Sequence, residues 1–268
     1  MGRPPLRPAR LYSGYAFDLD GTIYLGDTLL PGAAETVAAL RQAGARVAFL
    51  SNNPLRTRSE YADKLTRLGI PTPPDDVINS SLVLVHYLLA TAPGASLFVI
   101  GEESVKRELR AAGFSLTEDP HRVDYVVASF DRTFDYRKLK IGFDALRAGA
   151  RFIATNQDAY CPTPDGGLPD CGAVIAALEA SSGRQVETVV GKPSPIMGRV
   201  LLQRLGTAPA DSLLVGDRLE TDHALGLAVG MATAVVLTGV TTREAALAAQ
   251  PRPDYILECV SQVLPASP

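Results

Sequence analysis

Tyr15-Ala16-Phe17-Asp18-Leu19-Asp20-Gly21-Thr22 carries more structural and chemical information than any other stretch of this chain. Three apolar residues of a short strand run directly into two carboxylates. Strand alternation points Asp18 and Asp20 to one side and Leu19 to the other. Gly21 then permits a tight turn and a close approach of backbone to a ligand. Two carboxylates this near repel by about 4 kcal/mol at ~4 Å and an effective dielectric near ~20. A bound cation removes that penalty, and Mg²⁺ favours a few carboxylates together with phosphate oxygens and waters. Taken alone, the string also fits an Asx-rich turn after an edge strand.

The flanking sequence repeats the pattern of an apolar run followed by an amphipathic segment that stops at glycine. Pro31 is expected to open a helix that ends near Gly44. Val47–Leu50 reads as the next strand and runs into Ser51-Asn52-Asn53-Pro54, which offers a hydroxyl, two amides and backbone N–H groups at a strand end. Thr57 and Glu60 stand at capping-box spacing before a helix that ends near Gly69. Further on, Val189-Val190 precedes Gly191-Lys192, and Leu213–Val215 precedes Gly216-Asp217. Val235–Leu237 is closed by Thr238-Gly239. Alternating strands and helices imply right-handed crossovers and a parallel sheet.

Between these halves lies a stretch with its own strands, Leu97–Ile100, Tyr125–Ala128 and Phe152–Ala154, and helices ending near Gly113 and Gly149. The expected organisation is a parallel-sheet α/β core from residues 1–81 and 186–268, with residues 82–185 inserted as a second α/β domain. Ligands of open parallel sheets bind beyond the carboxyl ends of the strands. Four apolar runs end there in groups suited to phosphate chemistry: Asp18 and Asp20, Ser51 and Asn52, Lys192, and Asp217. Asp217 is placed to complete a metal site with Asp18, and Asp222 to hold a metal-bound water or orient a neighbour. Thr221 or Asp222 would equally serve as a helix cap. Lys192 is a fixed cation outside any P-loop, because the residues before it lack the GxxxxGK pattern.

Bulk properties set the outer bounds. The 268 residues are 46 % hydrophobic and 21 % charged, enough to bury a core, and carry a formal net charge of −3. That balance argues against non-specific binding to nucleic acid or anionic membranes. No apolar run approaches the roughly 20 residues of a membrane span. The basic opening Met1–Arg10 has no apolar stretch of the kind a signal peptide needs. Cys161, Cys171 and Cys259 show no metal-ligand spacing and no disulfide framework, so a reducing cytoplasm is expected. His86 and His121 read as residues without chemistry.

In order and spacing these segments resemble the four motifs of the haloacid-dehalogenase superfamily, and most closely its NagD-like, class IIA branch. The resemblance rests on Asp18–Thr22 with Ile23-Tyr24-Leu25-Gly26, on Ser51–Pro54, on Phe152-Ile153-Ala154-Thr155-Asn156, on Val190–Pro195 and on Val215–Asp222. It implies a Rossmann-like core with a C2-type α/β cap that closes over the site, and a Mg²⁺-dependent phosphatase acting on small phosphorylated metabolites. Asp18 would be the nucleophile, and Asp20 the acid and base whose backbone carbonyl also binds the metal. Asp18 and Asp217 would ligate Mg²⁺, with Asp222 behind them. Ser51 and Lys192 would hold the phosphoryl group, with Gly21, Thr22, Asn52 and Asn53 around it. Asn156 and Asp158, in the cap loop 156–170, would contact the rest of the substrate. A homodimer is also implied. The chain departs from the family pattern at Gln157, where proline is common, at Asp170, where a small residue is usual, and at His223, where an aliphatic one is expected. Asp20 favours phosphoryl transfer over dehalogenation. A phosphomutase of the same fold usually has a small helical cap, and a receiver-like phospho-accepting protein would lack the insertion of roughly 100 residues.

Overall fold

The computed structural model describes residues 7–163 and 166–265. The first six residues of the basic opening stretch, and residues 164 and 165 of the expected cap loop, lie outside the described residues. The chain divides into two compact units. One comprises Met1–Ser51, Arg58–Ile78 and Lys192–Pro268, the other Asn52–Thr57 and Asn79–Gly191.

The first unit begins with β1 (Gly14–Asp18), which is buried along its whole length. A parallel strand covered on both faces reads as a continuous apolar run, and Tyr15-Ala16-Phe17 is such a run. The hairpin β2 (Tyr24–Leu25) and β3 (Thr28–Leu29) follows. Helix α1 (Ala33–Gln42) starts just after Pro31 rather than at it, because Gly32, with φ 79°, turns the chain into the helix through the left-handed region. β4 (Arg46–Ser51), α2 (Arg58–Arg67) and β5 (Val77–Asn79) complete this half.

The second unit runs α3 (Ser80–Thr91), β6 (Ser96–Ile100), α4 (Glu103–Ala111), β7 (Ser115–Leu116), β8 (Tyr125–Ala128), α5 (Tyr136–Ala148) and β9 (Arg151–Ala154). The hairpin β10 (Tyr160–Thr163) and β11 (Gly166–Pro169), helix α6 (Cys171–Ser182) and strand β12 (Thr188–Val189) follow. Its parallel sheet has the order β12-β9-β8-β6-β7. Asp135 and Asp170 cap the amino ends of α5 and α6 through their side chains, and Gly149 ends α5 at φ 108°.

The chain then re-enters the first unit with α7 (Pro195–Leu205) and β13 (Ser212–Gly216). A π-helical turn at Leu219–His223 leads into α8 (Ala224–Val229), β14 (Ala232–Val236), α9 (Arg243–Ala248) and β15 (Tyr255–Leu257). The sheet order is β15-β14-β13-β1-β4-β5. β1 pairs in parallel with β13 on one side and β4 on the other, in registers that set Phe17 against Val215 and Asp18 against Leu50. Packing among Tyr15, Phe17 and Phe49 fills the core beneath this end of the sheet.

The sequence-based expectation fails at one strand. Val189-Val190 is not a strand of the core sheet. Thr188 and Val189 pair with Ile153 and Ala154 in the second unit's sheet, so this unit extends past residue 185 to Gly191, and it begins before residue 82. A two-residue strand carries too little pattern to reveal which sheet it joins. Among the described residues no helix is long and apolar enough to cross a membrane.

Candidate active site

The carboxyl ends of β1, β4 and β13 lie side by side, and each delivers one expected residue: Asp18, Ser51 and, one residue past β13, Asp217. Asp18, Asp217 and Asp222 are all buried, and each brings a carboxylate oxygen within 4.8 Å of the others'. The Lys192 ammonium, itself buried, donates to Asp18 Oδ1 and, at 2.7 Å, to Asp222 Oδ1.

Local folding explains each placement. Asp222 sits in the π-helical turn, where its Oδ2 accepts the Arg218 N–H at 3.2 Å. A Cβ at Gly216 would come within 2.2 Å of Asp222 Cγ, so only glycine at the end of β13 lets that carboxylate fold back against the strand. Both Asp222 oxygens are therefore engaged by protein donors. Asp217 differs. Its Oδ2 accepts the Val240 N–H at 2.8 Å, while Oδ1 has no hydrogen-bond donor among the described residues. Asp20 is exposed in the turn after β1. The Gly21 N–H donates to the Tyr24 carbonyl at 2.8 Å, which fixes that turn.

The electrostatics follow from burying three acids beside one cation. Burial pushes the Asp18 carboxyl well above the usual range. The charges on Asp222 and Asp217 add to the shift, and Lys192 opposes it. Burial likewise raises Asp217 to about 6, with the charge on Asp222 reinforcing it. Burial alone would lower Lys192, but Asp18 and Asp222 outweigh it and hold the ammonium protonated. One ammonium leaves the cluster with excess negative charge. Hard oxygen donors at this spacing fit a hard divalent cation, which would relieve that excess.

The other expected residues separate into two groups. Ser51 is buried and its hydroxyl donates to Tyr61 Oη on α2 at 3.2 Å. Thr22 is fully buried and its hydroxyl has no hydrogen-bond partner among the described residues. Asn52, Asn53, Asn156 and Asp158 belong to the second unit. There Asp158 Oδ2 accepts from Asn52 Nδ2 at 2.9 Å and from Asn156 Nδ2 at 2.8 Å. Asn156 Nδ2 also donates to Asp170 Oδ1, and Asn156 Oδ1 accepts from the Thr155 hydroxyl. Asn156 is fully buried with its amide spent inside this network, so it orients Asp158 rather than offering a free group. Asp170, the departure from a small residue, both caps α6 and joins the network. Asn53 Oδ1 accepts the Leu55 N–H in an Asx turn.

Sequence reasoning missed Tyr61 and the segment Thr238–Val240. Tyr61 looks like an ordinary apolar-face residue of an amphipathic helix, and Thr238-Gly239 looks like a strand stop. Only the fold brings them to Ser51, Gly21 and Asp217.

Two family models match the chain: "Haloacid dehalogenase-like hydrolase" over residues 15–115 and a HAD-hydrolase-like model over residues 189–263. The chain is 36 % identical to the 5′-nucleotidase YutF of Bacillus subtilis, over 96 % of this chain and 99 % of that protein. Its fold superposes on the 4-nitrophenylphosphatase of Thermotoga maritima with a TM-score of 0.90, at 34 % identity and covering 94 % and 96 % of the two chains. Against NagD of Escherichia coli the TM-score is 0.87, at 29 % identity over 96 % and 100 %. The chain belongs to the haloacid-dehalogenase superfamily, in its NagD-like branch, and is a phosphatase.

Proposed function

We propose that this phosphatase hydrolyses small phosphate monoesters with Mg²⁺ through an aspartyl-phosphate on Asp18. The observation that carries the reading is the state of Asp18. It is a buried carboxylate at the end of the central strand, with one oxygen held by Lys192 and with Asp217 and Asp222 beside it. Asp18 attacks phosphorus, and the P–O bond to the leaving group breaks as Asp20 gives that oxygen its proton. Asp20, now a carboxylate, takes a proton from water, which attacks the acyl phosphate. Inorganic phosphate departs and Asp18 is regenerated. Lys192 and Ser51 meet the charge on the equatorial oxygens. Asp18 and Asp217 would hold Mg²⁺, with Asp222 tying Lys192 to the cluster. The ion supplies charge neutralisation between the carboxylate nucleophile and the phosphate dianion. Substrate choice is a property of the second unit, carried by Asp158 on its Asn52–Asn156–Asp170 support.

The test is phosphate release from p-nitrophenyl phosphate, nucleoside monophosphates and sugar or glycerol phosphates, with Mg²⁺, with EDTA, and with Asp18→Ala. Turnover that needs Mg²⁺ and vanishes in the variant supports the reading. A variant that still turns over removes Asp18 as the nucleophile.

A further inference from the structure

The turn after β14 touches both halves of the carboxylate site, yet nothing in the reaction as written uses it. Thr238 Oγ1 donates to the Gly21 carbonyl at 2.6 Å. The next residues hold Asp217: the Val240 N–H donates to its Oδ2 at 2.8 Å and the Thr241 N–H to its backbone carbonyl at 3.1 Å. Between these contacts, two glycine backbones press on the Asp217 carboxylate. A Cβ at Gly239 would lie 2.0 Å from Asp217 Oδ2, and one at Gly21 would lie 2.7 Å from the same oxygen and 3.2 Å from Gly239 Cα. The carboxylate is thus gripped through one oxygen, between two strips of main chain that the Thr238 hydroxyl fastens together.

We propose that Thr238 is a positioning residue for the metal site: its hydroxyl locks the Asp18–Thr22 turn to the 238–240 segment, which fixes Asp217 with Oδ1 free for the cation. The proposal rests on the Mg²⁺-dependent reading above. A carboxylate held by a backbone N–H on one oxygen has lost its rotational freedom before a metal arrives, so binding orders less of the site. Outer partners of this kind typically account for about 10–100-fold in metal affinity. The Gly21 carbonyl also lies next to Asp20 in sequence, so the same hydroxyl steadies the acid–base residue. Thr238 itself touches neither phosphate nor metal in this scheme.

The experiment is titration calorimetry of Mg²⁺ and Mn²⁺ into the metal-free full-length protein. It compares wild type with Thr238→Val, which keeps the shape and removes the hydroxyl, and with Thr238→Ser, which restores the hydroxyl. Thermal unfolding of each metal-free protein is recorded alongside. The expected result is a metal affinity about tenfold weaker or worse in the valine variant and near wild type in the serine variant. The KM for p-nitrophenyl phosphate at saturating Mg²⁺ should stay within about twofold. Equal metal affinity in wild type and Thr238→Val overturns the proposal. Equal weakening in the valine and serine variants overturns it too, since packing and not the hydroxyl would then be responsible. If the valine variant does not fold, Thr238→Ala against Thr238→Ser decides by the same criterion. If wild type binds no metal, the functional reading falls and takes this proposal with it. If wild type binds and the variants match it, only the role of Thr238 falls.

Discussion

Lys192 Nζ lies 2.7 Å from Asp222 Oδ1, and both side chains are almost entirely buried. The same ammonium also bonds to Asp18, so one cation holds two acids brought together from distant parts of the chain. Removing one partner of a buried pair leaves uncompensated charge, at a cost of about 3–5 kcal/mol. Lys192→Met should therefore lose stability of that order at neutral pH in the metal-free state, as well as activity. Urea unfolding in EDTA measures it, and a wild-type midpoint in the variant would mean the cluster is not held by this lysine.

The raised carboxyls give a pH dependence with a definite sign. The Asp217 pKa is about 6 in the folded protein, against an ordinary value of 3.8, because of burial first and the charge on Asp222 second. The folded state then binds this proton more tightly than the unfolded state, so the contribution of Asp217 to stability is fully present below pH ~4 and is lost as pH rises through ~6. Asp18 is shifted in the same direction. Only ionised carboxylates take up Mg²⁺. The Mg²⁺-induced rise in melting temperature should therefore grow across pH 4–6, read by thermal unfolding with Mg²⁺ and with EDTA. A gain that does not vary with pH over this window would contradict the link between these acids and the ion.

Asn156 and Asp158, neighbours in one loop, should respond differently to substitution. Asn156→Ala leaves the buried Asp170 and Thr155 without their amide partner, and should cost about 2–4 kcal/mol of stability. Asp158→Asn keeps the size and removes a charge at a half-buried position. It should reorder a panel of phosphate esters while turnover of p-nitrophenyl phosphate persists. Unchanged ranking in Asp158→Asn would remove that residue from substrate selection.

His223 stands where an aliphatic residue is expected, and the structure supplies a reason. Its Nε2 lies 2.9 Å from the Pro251 carbonyl, which can only accept, so that nitrogen carries the proton. Its Nδ1 lies 2.8 Å from Thr233 Oγ1. Substitution by leucine removes both hydrogen bonds, one of them to the buried Thr233 hydroxyl, and should cost about 1–3 kcal/mol in urea unfolding. His223→Gln, which keeps a donor at similar reach, should recover part of that loss.

Most of the residues gathered at the candidate site were legible in the sequence because strand ends announce themselves. An apolar run followed by Asp18, by Ser51 or by Gly216-Asp217 is both a structural and a chemical signal. What escaped has a physical reason in each case. Val189 joins the second unit's sheet through pairing with Ala154, a long-range choice that two residues cannot encode. Asn52–Thr57 groups with the second unit although it follows a core strand, because Asn52 bonds to Asp158 and its carbonyl accepts from Ser80. Thr238 gains its contact with Gly21 only because β14, β13 and β1 lie next to one another.

The covalent step is the centre of the account, and chemical trapping reaches it most directly. In the proposed mechanism, Asp20→Ala removes the base that clears the intermediate. With p-nitrophenyl phosphate, whose leaving group needs no proton, the variant should accumulate the aspartyl-phosphate. Borohydride reduces an acyl phosphate to the alcohol, so mass spectrometry of the digested protein should find homoserine at position 18, only when Mg²⁺ and substrate are both present. Intact aspartate at position 18 under conditions where the variant releases nitrophenol, or homoserine at another carboxylate, would contradict a nucleophilic Asp18.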